Sequence, residues 1–361
     1  MSPKTAGSWR PEAGGPIRTH GSIPCRAAGS AAACFLCLIL TCGGLGAGEA
    51  ARNPAQATER GLAWLRTQQQ ADGGLSGKNR TANTALAVLA HLSAGVTPDL
   101  PEYGPSVRRM LVYLAARGDA RGYLGGDGSR MYGHGMACLA LANALGTSRD
   151  DDLDERLRLT LTRAIAVTVT AARISKPDGQ RGGWRYQPDE AGSEVSVTGW
   201  QLSALYAARR TGLAVPDEVF SGALAYMRGC IDPEGRVGYT RRGEDHAPLR
   251  GLALLALGLQ PGPRDALRDK ILARMRAEPT TWSGPSFFFR VYYEATGLSR
   301  SEPAAWPPWR DRLFALLIAN QGKDGSWPAP PGDNERDYGA AYATALALLA
   351  LTVELRLLPS N

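Results

Sequence analysis

The chain has 361 residues, 44% of them apolar and 21% charged, which excludes a disordered or low-complexity polymer and leaves room for one large core or two ordinary ones. Its formal charge is +7, and beyond the first fifty residues 37 basic side chains face 32 acidic ones, scattered as pairs such as Arg108 and Arg109 or Arg241 and Arg242. No continuous basic stripe results, so no nucleic-acid partner is expected.

In chain order, the first feature is the apolar run AAACFLCLILTCGGLGA at residues 31–47, preceded by positive charge and followed by small residues. That is the pattern of a secretory signal peptide, with cleavage expected near Ala47 to Ala50 and residues 1–50 forming a leader. Export to the periplasm or the extracellular space follows. A retained anchor is the alternative, although the run falls short of the ~20 apolar residues of a comfortable span. Cys42 also loosely matches a lipidation site, so membrane contact is expected only through this N-terminus. Four of the six cysteines lie in the leader; Cys138 and Cys230 remain, too few for a disulfide framework.

From residue 53 to 361 a single plan recurs six times: an amphipathic stretch, a Gly-containing turn often carrying Asp or Trp, then an Ala/Leu-rich stretch. The first copy pairs GLAWLRTQQQADGGL (61–75) with TANTALAVLAHLSAG (81–95), and the second pairs residues 107–126 with 131–146. A longer third takes 157–186 into 196–213, and the fourth joins 221–239 to 247–259. The fifth, 266–284 with 286–298, is the most degenerate; the sixth, 309–327 with 337–351, is the clearest. Aligning Gly74 with Gly325 gives 251 residues over five intervals, or about fifty per unit.

The first stretch of each unit has helical periodicity, whereas GLALLALGL and ATALALLAL are apolar nearly all round and must be covered on every side. An inner ring of these greasy helices wrapped by an outer ring of amphipathic ones satisfies both patterns. Neither terminal unit is a polar cap, so closure of the first unit on the last is expected over an open solenoid. The fold class is therefore all-α, a closed (α/α)6 toroid.

Gln321, Gly322, Lys323, Asp324, Gly325, Ser326 and Trp327 resemble the QW repeat of the prenyltransferase and squalene cyclase family. Gln68, Asp72, Gly73, Gly74 and Leu75 give a partial copy, as do Asp178, Gly182, Gly183 and Trp184. Glycines that allow positive φ and a buried Trp make this motif a lock for a helix end. The resemblance implies that cyclases of the family protonate an alkene with a DxDD cluster at the start of an inner helix. Here the best superposition brings Arg80, Ala82 and Asn83 to those places. The zinc-dependent relatives need Asp, Cys and His ligands, and beyond the leader only His91, His134 and His246 occur, so neither metal nor cofactor is expected. Asp150, Asp151, Asp152 and Asp154 formally fit a magnesium-diphosphate motif, but acids in a helix's first turn are expected there for capping.

If the inner helices start on one rim, their approach loops gather there. Single acids, Glu194, Asp245 and Asp337, stand at those starts. Asp245 or Asp337, with His246 as neighbour, is the candidate acid; His134, Glu194, Trp200, Phe287, Tyr292, Tyr338 and Tyr342 are the candidate pocket residues. Two functions follow: a non-catalytic ring binding an isoprenoid, another lipid, a glycan or a protein, and a cyclase- or prenyltransferase-like enzyme acting on a polyisoprenoid. A lyase or glycoside hydrolase is a third, opposed by the scarcity of paired acids. Export favours the binding ring.

Overall fold

In the computed structural model, residues 53–355 and 357–358 are described; the apolar run expected to be a signal peptide lies outside them. They form twelve α-helices: α1 Pro54–Thr67, α2 Arg80–Ser93, α3 Gly104–Ala115, α4 Arg130–Ala144, α5 Asp151–Ala172, α6 Val195–Arg210, α7 Asp217–Gly229, α8 Arg250–Leu259, α9 Leu267–Ala277, α10 Phe287–Ser301, α11 Trp306–Ala319 and α12 Ala340–Leu351. Among the described residues, β-pairing is limited to isolated bridges such as Gln69 with Leu75, and no helix is long and apolar enough to cross a membrane.

The even-numbered helices are the Ala/Leu-rich ones, and they form an inner ring in which α2 packs on α4, α4 on α6, α6 on α8, α8 on α10, α10 on α12, and α12 back on α2. The odd-numbered helices wrap them. The (α/α)6 toroid is thus closed. Burial follows the pattern: every residue of α2 after Arg80 and every residue of α12 after Ala340 is buried, while α1 buries only Ala57, Gly61, Leu62 and Leu65.

The turns that lead from outer to inner helices fasten neighbouring units. Gly73 has φ +91°, and a Cβ there would meet the Arg109 carbonyl oxygen of α3 at 2.4 Å. Gly122, Gly182 and Gly235 stand in the same relation to α5, α7 and α9, and Gly325 (φ +95°) closes the circle against Arg60 O of α1. The repeat register therefore runs from Gly73, not Gly74, to Gly325. The glutamine shifts with it: Gln321 Nε2 donates to Gly325 O and to Ala57 O, and Gln69, not Gln68, does the same to Gly73 O and to Ser106 O. Counting back from the Asp72-Gly73 and Asp324-Gly325 steps finds this register.

Asp150 accepts from Leu153 N at 3.0 Å and caps α5, so the acidic string there is a helix start.

Candidate functional site

All six inner helices run the same way, so their N-terminal ends share one rim. Each leaves backbone N–H groups that the helix itself cannot satisfy. At four of the six starts, those of α2, α4, α6 and α10, the chain meets this with a partner from the loop of the next unit. Asp127 Oδ2 accepts from Thr81 N at 2.7 Å, and the Tyr186 and Tyr239 carbonyls accept from Met131 N and Val195 N, both at 2.9 Å. Asp333 accepts from Ser286 N and Phe287 N, and Glu335 from Phe288 N (2.8 Å) and Phe289 N (2.9 Å). Asn83 Nδ2 donates to Tyr338 O, tying unit one to unit six.

Inside this collar lies a cavity of about 540 Å3 with contributions from all six units. Its floor and walls include Ala82, Met136, Trp200, Leu249, Phe289 and Tyr342. Nearer the mouth stand Asn79, Ser129, Arg130, Tyr186, Ser286 and Tyr338. Tyr186 and Tyr239 share a hydroxyl–hydroxyl bond of 2.7 Å, and the Tyr132 hydroxyl bonds Ser196 Oγ (2.6 Å) and donates to Glu194 Oε1 (3.0 Å). The Arg130 guanidinium lies 5.6 Å from the centre of the Tyr186 ring and makes no ion pair among the described residues.

Two carboxyls, one in the wall and one just behind it, are held above their ordinary values. Burial raises Glu194, against hydrogen bonds from Ser196 and Val197 N that favour its charged form. Burial also pushes Glu335 up to about 7, against the Phe288 and Phe289 N–H groups. Glu194 caps its own helix and does not itself line the cavity; Glu335 lines the cavity and caps α10, the inner helix of the preceding unit.

The residues expected from sequence divide into three sets. Trp200, His246, Tyr338 and Tyr342 line the cavity, and Glu194 stands one hydrogen bond behind it through Tyr132. Asp245 does not line it: its carboxylate is clamped by Arg250 at 2.9 Å and by Arg274. Burial pushes that carboxyl up but the two guanidiniums outweigh it, so it is held below the usual range and is ill suited to donate a proton. Asp337 is exposed on a short 3-10 turn, Asn334–Tyr338, outside the cavity lining.

His134, Phe287 and Tyr292 also lie away from the cavity, each for a packing reason. The Trp327, Trp184 and Leu75 N–H groups donate to hydroxyls of Thr344, Thr198 and Thr84 in their inner helices; in unit two, Leu124 N donates to His134 Nδ1 instead. His134 Nε2 then donates to Thr168 Oγ1 (3.0 Å), which donates to Gln201 Oε1, whose amide donates to Met131 O. Burial lowers this imidazole to about 4, so it stays neutral. Phe287 is fully buried edge-on against Trp282 and Phe288. Tyr292 stacks on Trp200 (5.4 Å, 5°) from the far side and faces a small void of about 40 Å3 at the opposite end.

No family model matches the chain. No curated protein matches it either. Solved structures do. A protein from Actinoplanes aligns at 20% identity and TM-score 0.54, over 83% of this chain and 98% of its own. A GH76 α-1,6-mannanase of Salegentibacter, in complex with α-1,6-mannotriose, aligns at 12% and 0.58 over 84% and 99%. A type II terpene cyclase of Scytonema aligns at 16% and 0.52 over 84% and 99%.

The shared property is the α/α toroid. At these identities the likeness establishes the fold alone, and the chemistry must come from the side chains of this rim. Among the described residues no group of three His, Cys, Asp or Glu side chains could hold a metal ion. Tyr186, Tyr239 and Glu335 also belong to the site, although no pattern in the sequence marks them. Glu335 follows Asp333 in a loop rich in Gly and Pro, and no periodicity marks such a position.

Proposed function

We propose that this chain is an exported ligand-binding ring of the prenyltransferase and squalene cyclase repeat type, which holds one small molecule in the rim cavity. The observation that carries the reading is the pairing of a cavity of about 540 Å3, fed by every unit, with carboxylates already committed to backbone N–H groups. A volume within the ~300–1,000 Å3 of ordinary ligand sites suits a compact occupant. A capping carboxylate that moved a proton would loosen the helix start it holds, which opposes a catalytic role for Asp127 and Asp333.

A second reading, a cyclase- or prenyltransferase-like enzyme acting on a polyisoprenoid, is favoured by one observation. Glu335 is buried at the wall beside Tyr342 and Phe289 and is raised to about 7, near the value a general acid needs at neutral pH. Extraction of the purified full chain followed by mass spectrometry tests both. A molecule that copurifies and is recovered unchanged after incubation supports the binding ring. Turnover that survives Asp245→Asn and Asp337→Asn but vanishes in Glu335→Gln overturns it in favour of the enzyme.

A further inference from the structure

The geometry points to a polyhydroxylated ligand, a short saccharide, as the occupant of the rim cavity. This rests on the binding-ring reading and specifies its ligand. Each of the six units brings a polar side chain to the lining: Asn79, Ser129, Tyr186, His246, Ser286 and Tyr338. A hydrocarbon seated there would strip water from these groups and return no hydrogen bond, a penalty repeated around the ring. A sugar returns one from each hydroxyl.

Charge narrows the choice further. Glu335 and Asp333 accept from four backbone N–H groups at the start of α10, and Asp127 accepts from Thr81 N, so the negative side chains answer the positive helix ends. What faces the cavity is then a set of amides, hydroxyls and an imidazole, groups that both give and take hydrogen bonds, beside a Glu335 carboxyl already bonded to two backbone N–H groups and a single guanidinium, Arg130. That set matches a neutral polyol better than an organic ion. The shared hydroxyl bond of Tyr186 and Tyr239 leaves unfilled capacity on the same edge, and Arg130 adds donors at the mouth. The partly exposed rings of Tyr132, Tyr186, Tyr239 and Tyr338, backed by the buried Trp200, Tyr342 and Phe289, supply the aromatic surface on which the C–H face of a pyranose stacks.

The test is calorimetric titration of the full chain with α-1,6-mannotriose, other unmodified trisaccharides and glucose, with farnesol as the hydrocarbon probe. At least one trisaccharide should bind. Tyr338→Ala, a half-exposed residue at the mouth, should weaken it about tenfold, and Tyr186→Phe, which removes only a hydroxyl, about threefold, with unchanged circular dichroism. Farnesol binding without any saccharide would overturn the ligand class while leaving the binding ring standing. Saccharide binding untouched by both variants would overturn the site. If no probe binds and nothing copurifies, the inference and the reading beneath it both fall.

Discussion

The two ends of the ring are built from the same twelve helices and are fastened differently. At the rim, one positive-φ glycine in each of five units, Gly73, Gly122, Gly182, Gly235 and Gly325, sits where a Cβ would strike the backbone of the next unit's outer helix, while others such as Gly77 and Gly243 have open space. At the opposite end Gly146, Gly212 and Gly262 have the same left-handed backbone with open space around them. The rim must satisfy six sets of helix N–H groups and is therefore polar. The other end carries Leu255, Leu259, Leu349 and Val353 around a void too small for a ligand, about 40 Å3. Capping demand makes one end a polar rim around a cavity and the other a seal.

The comparison is broken most severely at the turn that closes the ring. Gly325→Ala adds a Cβ 2.5 Å from Arg60 O at φ +95°, and should cost about 3 kcal/mol or more in urea unfolding. Gly262→Ala, equally left-handed but unobstructed, should cost only about 1 kcal/mol. Equal costs would show that the rim turns are not pinned.

Glu335 sharpens the contrast through pH. Its folded value, about 7, lies above the ordinary 4.5, so the folded state holds the proton more tightly between those values. Its contribution to stability is then fully present below about pH 4.5 and is lost as pH rises through about 7. The loss should be about 2–3 kcal/mol, present in the native chain and missing from Glu335→Gln when the two urea profiles are subtracted.

Asp245→Asn removes a clamp from the buried Arg250, whose remaining ion-pair partner is Glu278. It should lower stability by about 2 kcal/mol and leave ligand affinity unchanged. Asp337→Asn, on an exposed turn, should fall within about 0.5 kcal/mol of the native chain and bind equally well. A loss of binding in Asp337→Asn with stability intact would restore that residue to the site.

The helix pairs, their number and their closure were legible because side-chain burial follows a period that sequence displays: ATALALLAL can only be a helix covered on all sides, and α12 is. The candidate site was legible in part. Trp200, His246, Tyr338 and Tyr342 were found because they begin inner helices, and inner helices begin on one rim. His134 occupies a similar place in its unit but fills the role that Thr84, Thr198 and Thr344 play in theirs, turned toward an outer helix and not the axis. A one-dimensional repeat fixes how far along a helix a residue stands; the direction of its side chain depends on which neighbour supplies a hydrogen-bond partner.

By itself, then, the sequence determined an all-helical ring of six pairs and the end at which chemistry could gather, since periodicity and glycine spacing are local properties of the chain. Only the tertiary structure decided that Asp245 is clamped by arginines, that Glu335 reaches across to cap the preceding inner helix, and that five tyrosines meet around one cavity. Those outcomes depend on how loops and helices of the same and neighbouring units meet, where burial and partner geometry set the ionisation and orientation of each group.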